Sequence, residues 1–168
     1  MAKYIRNNAG TLTETPAIST SAGVGDANKI VETNGTGKLD ITLMPTGIGA
    51  ETSTILASEN LAAGDLVEVF NNAGTANVRK ADASNGRLAK GFVLAPVTTG
   101  NNATVYFEGG VTGLTGLIPG TKLFLSAAVA GTVAAVAPTV AGQTVQQVGY
   151  ATSTTSFTFS PQLDFLLG

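Results

Sequence analysis

The side chains best suited to chemistry in this sequence are carboxylates. Glu59, Asp65, Glu68, Asp82 and Glu108 fall between positions 59 and 108. Two carboxyls held across a cleft can hydrolyse a glycosidic bond, one as acid and one as base or nucleophile. Each of the five fits a turn or strand-edge role equally well. A sugar cleft also tends to offer large aromatic platforms, and the chain has no Trp and three Tyr: Tyr4, Tyr106 and Tyr150. Other catalytic sets lack their parts. There is no His and no Cys, which removes the commonest general base and the strongest nucleophile. Ser-His-Asp and Cys-His triads cannot be assembled, and there is no thiolate metal site.

The glycine-rich segments do not complete a phosphate loop. Gly35-Thr36-Gly37-Lys38 lacks the earlier glycine the pattern needs, and Leu39 stands where Ser or Thr must follow the lysine. The segment 23–28 lacks the third glycine of a dinucleotide fingerprint and follows no strand. The run from Asp82 to Gly86 is a glycine-terminated turn rather than a calcium loop. No catalytic residue, metal ligand or cofactor is therefore expected, and the reading is a protein that is not an enzyme.

The elements that would carry these residues read as short strands. Candidate strands cover 65–70, 76–81, 89–97, 103–107, 122–126, 132–136, 144–151 and 156–159, parted by Gly, Asn, Pro or Ser. Strands of this length and spacing predict an all-β fold, a small barrel or sandwich. Phe157 and Phe159 share one face of the last strand. The one short helix expected lies within 50–58. Gly64, Gly74, Gly86 and Gly91-Phe92 recur as Gly120, Gly131, Gly142 and Gly149-Tyr150, an internal duplication in which matching glycines mark matching turns or bulges.

Residues 1–50 differ from the body at 51–168. They are polar and rich in Thr, Asn and Gly, which reads as an extended arm. Within the arm, Lys29-Ile30-Val31-Glu32 and Asp40-Ile41-Thr42-Leu43 flank the turn signal Asn34–Gly37 and predict a hairpin. Met44-Pro45-Thr46-Gly47 marks the boundary. A lone hairpin is marginal in water, so it must borrow a core from the body or from other subunits.

Charge narrows the partners. Charged residues make up 12 % of the 168, with a net charge of −2. The charged share is about half that of an ordinary soluble domain. No basic excess exists to neutralise phosphates, so nucleic acid is not an expected partner. The uncharged stretch after Lys122 is broken by Gly131, Pro138 and Gly142, which predicts buried strands and no membrane span. No apolar signal run opens the sequence. Residues 109–168 contain only two charges, Lys122 and Asp164; a surface so poor in charge is expected to be covered by partners. Arg79, Lys80, Arg87 and Lys90 cluster in one strand-turn-strand stretch. They read either as a protected strand edge or as a docking patch for an acidic protein surface.

Three segments resemble small virion proteins of tailed bacteriophages. Ser21-Ala-Gly-Val-Gly-Asp-Ala-Asn-Lys-Ile-Val31, with Gly37-Lys-Leu-Asp40 and Met44-Pro45, is similar to their N-terminal region. Gly110-Val-Thr-Gly-Leu-Thr-Gly-Leu-Ile-Pro-Gly-Thr-Lys-Leu-Phe-Leu-Ser126 and Val145-Gln-Gln-Val-Gly-Tyr-Ala151 are similar to a β module of head decoration (cement) proteins, head fibres and tail fibres. The resemblance implies a homotrimeric structural component on the outer head surface, made in the host cytoplasm. It would bridge major capsid protein subunits and need no small-molecule substrate. A short tail-fibre or head-fibre adaptor for host attachment is the alternative. The division into a polar arm and a β body favours decoration, with Ile30, Val31, Leu39, Ile41 and Leu43 of the arm and Arg79, Lys80, Arg87 and Lys90 of the body as the expected interface.

Overall fold

The computed structural model describes residues 2–44 and 49–168. The chain divides into two compact units, Met1–Gly49 and Ala50–Gly168. It is all-β: among the described residues, apart from two three-residue 3-10 turns, the regular elements are strands.

The first unit opens with an antiparallel hairpin of β1 (Lys3–Asn8) and β2 (Thr11–Pro16). Its turn has Ala9 and Gly10 at φ 50° and 92°, the signature of a type I′ turn, whose twist matches that of the strands. The Asn7 side chain accepts a hydrogen bond from Gly10 N–H at 2.8 Å. The hairpin expected around Asn34–Gly37 does not form. Asn34 Oδ1 accepts from the N–H of Thr36 (3.0 Å) and of Lys38 (3.1 Å), so the side chain closes a local turn. Asp40 then caps the 3-10 turn Ile41–Leu43 by accepting from Thr42 N–H at 3.0 Å, which removes the second strand. Val31 pairs instead with Ile18 in a single parallel bridge. Of the expected boundary 44–47, only Met44 lies within the described residues.

The second unit holds the duplication in three dimensions. In the first copy, β3 (Thr52–Ala57), β4 (Leu66–Asn72), β5 (Thr75–Lys80), β6 (Gly91–Val93) and β7 (Asn102–Tyr106) close a barrel in the order β3-β5-β4-β6-β7. In the second copy, β8 (Gly109–Thr112), β9 (Lys122–Leu125), β10 (Val133–Ala134), β12 (Gln147–Ala151) and β13 (Ser156–Phe159) form a sheet in the order β10-β9-β12-β13-β8. The orders match strand for strand, β5-β4-β6-β7-β3 against β10-β9-β12-β13-β8. The first copy closes because β3 and β5 pair in parallel at Leu56↔Asn77 and Ala57↔Val78; the second stays open. Turn bonds match too. Gly64 N–H donates to Val93 O and Gly120 N–H to Ala151 O, both at 2.8 Å. The equivalent glycines Gly64 and Gly120, Gly74 and Gly131, Gly86 and Gly142 all have φ between 73° and 92°.

Gly91 and Gly149 are equivalent for a different reason. A Cβ at Gly91 would stand 2.7 Å from the Tyr106 carbonyl oxygen and 2.7 Å from Val105 Cγ1. At Gly149 it would stand 1.9 Å from the Thr158 carbonyl oxygen and 3.1 Å from Phe157 Cδ2. In each copy the third strand lies against the fourth so closely that only glycine fits.

Burial follows the pleat. Ile55, Val67, Val78, Val93, Ala103 and Val105 fill the barrel. Their neighbours Leu66 and Phe92 point outward and pack with Val111, Leu123, Leu125, Val148, Phe157 and Phe159 of the second copy. At Leu66–Val67 of β4 and Gly91–Val93 of β6 the strands are buried on both faces, and no polar side chain stands there. A buried side chain also joins the copies. Gln146 accepts from Ala89 N–H at 2.8 Å and donates to Ala89 O at 3.0 Å, so it replaces a strand partner.

Several strands depart from expectation. The helix expected within 50–58 is β3, because Thr52, Thr54 and Ile55 are β-branched and Ile55 and Ala57 alternate inward. The strand expected at 89–97 keeps only Gly91–Val93; Pro96 cannot donate to a ladder. The strand expected at 144–151 is interrupted at Gln146 into β11 (Thr144–Val145) and β12, and β12 carries a bulge between Gln147 and Gly149. Strand β14 (Phe165–Leu166) pairs with β11.

Candidate interaction surface

The first unit has many apolar side chains and almost nothing to bury them in. Ala17 is its one buried hydrophobic among the described residues. Ile5, Leu12, Val24, Ile30, Val31, Leu39, Ile41 and Met44 are all exposed. Of the arm residues expected at an interface, Ile30, Val31, Leu39 and Ile41 are exposed and Leu43 is half-buried. They lie on irregular chain rather than on one ladder. Ile18 holds the first pair in place: its N–H donates to Ile30 O, and Glu32 N–H donates to Ile18 O, both at 2.9 Å.

Two acidic turns stiffen this segment. Asp26 pairs with Lys29 Nζ at 2.7 Å and accepts from Ala22 N–H at 2.7 Å. Those bonds, the lysine's first, hold its carboxyl below the usual carboxylate range. Asp40 is held low by the hydroxyl and then the N–H of Thr42. Tyr4 OH is buried and has no hydrogen-bond partner among the described residues.

The four basic residues of the second unit do not form one patch. Arg79 and Lys80 are consecutive on β5 and so point to opposite faces. Arg79 Nε lies 2.8 Å from Glu68 Oε2, and its guanidinium sits 4.2 Å from the Phe70 ring centroid. Lys80 Nζ lies 3.3 Å from Asp65 Oδ2. Lys90 Nζ donates to Val69 O at 3.0 Å, and Arg87 is half-buried in a backbone bridge with Asp82. Strand β5 is paired on both sides at Asn77 and Val78, so at those rungs there is no edge to protect.

Four of the five carboxylates are taken up in the same way, and Glu108 is exposed after β7. Glu59 accepts from Lys80 N–H at 2.5 Å, and Asp65 from Ala62 N–H at 2.8 Å. Asp82 accepts from Ser84 N–H at 2.9 Å. Among the described residues, no three acidic side chains are grouped to hold a metal ion.

Sequence reasoning missed two apolar surfaces. One is the β1–β2 hairpin, with Ile5 and Leu12 exposed. Its signal was present: Asn7-Asn8-Ala9-Gly10-Thr11 repeats Asn71-Asn72-Ala73-Gly74-Thr75 letter for letter. The later occurrence of this pentapeptide makes the same turn, with Ala73 at φ 50° and Gly74 at 92°, between β4 and β5. The other surface is β14 and the chain leading into it, where Leu163 is 95 % exposed and Phe165 and Leu166 are more than half exposed. Thr144 opposes Leu166 but donates its N–H to Ala83 O at 2.8 Å. In an antiparallel pair such a rung is not hydrogen-bonded, so the Leu166 N–H and C=O face outward as a free edge.

No family model matches the chain, and no curated protein matches it. Among solved structures, it is similar to the N base of the head fibre gp8.5 of bacteriophage phi29. The similarity covers 67 % of this chain and 95 % of the other, at 17 % identity and a TM-score of 0.45.

Proposed function

We propose that this protein is a structural component of a tailed-bacteriophage virion that decorates the head. The first unit would grip the major capsid protein, and the β body would associate with copies of itself as a trimer. The observation that carries the reading is the missing core of the first unit, in which a single alanine is buried while eight larger apolar side chains are exposed. Apolar side chains in such number on so small a unit mark a contact surface. Covering them on a shell adds buried area across subunit joints, and binding that favours the assembled shell stabilises it by mass action. The charge-poor residues 109–168, with Leu163, Phe165 and Leu166 exposed, suit contacts between copies. This role requires no chemistry, and Glu59, Asp65, Glu68 and Asp82 are read as structural.

Cryo-imaging of the purified particle tests it. Density for this chain on the outer head surface is the expected result, and its absence there overturns the reading. Label confined to the tail tip would instead make the chain a fibre adaptor. Removing residues 1–45 should leave the β body folded and abolish shell binding; full binding by the truncated chain would show that the arm is not the grip. Sedimentation of the free protein should give a trimer.

A further inference from the structure

We propose that the barrel of the second unit carries a binding groove for a neutral glycan. Two depressions of about 540 Å³ and 330 Å³ adjoin on its outside and share Pro96, Val97 and Asn102. No charged side chain lines either one. A groove without charge gives no hold on phosphate, nucleic acid or an ionic peptide.

Its polar groups are positioned by strands. Along β7, Ala103 and Val105 point into the barrel, so Asn102, Thr104 and Tyr106 share the outer face, repeating every two residues at roughly 7 Å. Tyr106 is held by stacking on Phe92, with ring centroids 5.5 Å apart and planes at 19°. The facing loop is equally fixed. Leu61 and Val97 exchange backbone hydrogen bonds of 2.8 and 2.9 Å, and Gly100 N–H donates to Ala57 O at 2.8 Å. Asn60 Oδ1 accepts from Thr99 N–H at 2.9 Å, and Asn101 Nδ2 donates to Thr98 Oγ1 at 2.5 Å.

What remains unused is the recognition chemistry. Among the described residues, Asn60 Nδ2, Asn101 Oδ1, both side-chain heteroatoms of Asn102 and the hydroxyls of Thr104 and Tyr106 make no hydrogen bond to the protein. A carboxamide offers a donor and an acceptor side by side, which matches adjacent sugar hydroxyls. Leu94 and Pro96 supply apolar surface beside them, as sugar C–H faces require. The Asn60 and Asn101 carboxamides are each pre-set by one hydrogen bond, which lowers the ordering cost of binding. With one tyrosine and no tryptophan the single-site affinity is weak, and useful retention would come from many copies displayed together.

The test is amide chemical-shift titration of the free, full-length protein with D-glucose, D-galactose, N-acetyl-D-glucosamine and L-rhamnose, each to about 50 mM. The expected result is a saturable shift for at least one sugar, confined to Leu61, residues 97–102 and Tyr106, with affinity about tenfold lower in Asn102→Ala. Asn102 is exposed, so that variant should keep the wild-type spectrum elsewhere. No saturable shift with any of the four, shifts centred outside the groove, or unchanged affinity in Asn102→Ala overturns the proposal. So does a stronger response to the neutral tripeptide Ala-Asn-Ala, which would make the groove a peptide site. Because the readout uses the free protein, it is independent of where the chain sits on a particle.

Discussion

Replacing Gly149 by alanine should come close to unfolding the second unit. The residue has φ 154°, a conformation that side-chain-bearing residues rarely adopt, and its Cβ would stand 1.9 Å from the Thr158 carbonyl oxygen and 3.0 Å from the carbonyl carbon. Ordinary contact between such atoms needs about 3.5 Å, so β12 and β13 must separate by roughly 1.5 Å. The rungs Gly149↔Phe159, Tyr150↔Thr158 and Ala151↔Phe157 run through that point. Opening them loses hydrogen bonds at about 1 kcal/mol each. It also loosens Phe157 and Phe159, which are fully or almost fully buried; complete loss of a buried Phe costs about 3–5 kcal/mol. With about 1–3 kcal/mol of backbone strain, the total is at least about 4 kcal/mol, against a typical domain stability of about 5–15 kcal/mol. Urea unfolding followed by circular dichroism measures it. The control is Gly142→Ala, where φ is 81° and nothing lies within 4 Å of the new Cβ; it should cost only the backbone conformation, about 1–2 kcal/mol. If the two variants unfold within about 1 kcal/mol of each other, the close approach of β12 to β13 is not what glycine serves, and the reasoning fails.

Three further outcomes follow from the same structure. Gln146→Leu should destabilise by about 2–4 kcal/mol, because Ala89 N–H and C=O are left buried without their partner; a change below about 1 kcal/mol in urea unfolding would show that water or a backbone shift replaces the amide. Ala73→Asn should stabilise by up to about 1 kcal/mol, since Ala73 sits at φ 50°, where Asn is tolerated and alanine strained; thermal unfolding should then shift upward by a few degrees. Asp26 and Asp40 have folded-state pKa values below the ordinary 3.8, so the order they confer is fully present above that value and is lost as the pH falls through the depressed ones. Amide exchange at Ala22 and Thr42 should accelerate as the pH is lowered below about 4, relative to the intrinsic rate. In Asp26→Asn the Ala22 step should vanish while the Thr42 step remains.

The all-β class, the expected strands near 66–80, 102–106, 122–125 and 156–159 and the matched glycines were legible in the sequence because they rest on short-range rules. Alternation of Phe157 and Phe159 sets a face, and a positive φ demands glycine whatever lies around it. The basic cluster and the arm hairpin were legible as composition and not as geometry. Adjacent strand residues such as Arg79 and Lys80 diverge by construction. No hairpin forms at Asn34–Gly37 because the Asn34 and Asp40 side chains capture backbone N–H groups that a ladder would have used, and the hairpin at Ala9–Gly10 rests on its own turn. Only the tertiary structure decided which copy of the duplicated unit closes. That depends on β3 reaching β5 across the barrel, a long-range pairing with no local signature. The polar composition of residues 1–50 already set them apart from the body, but only the tertiary structure showed which of their isoleucine, leucine and valine side chains stay exposed, because the second unit alone has a facing sheet to bury such residues. The absence of His and Cys, by contrast, belonged to the sequence alone: the chemistry those side chains carry is unavailable to this chain whatever its fold.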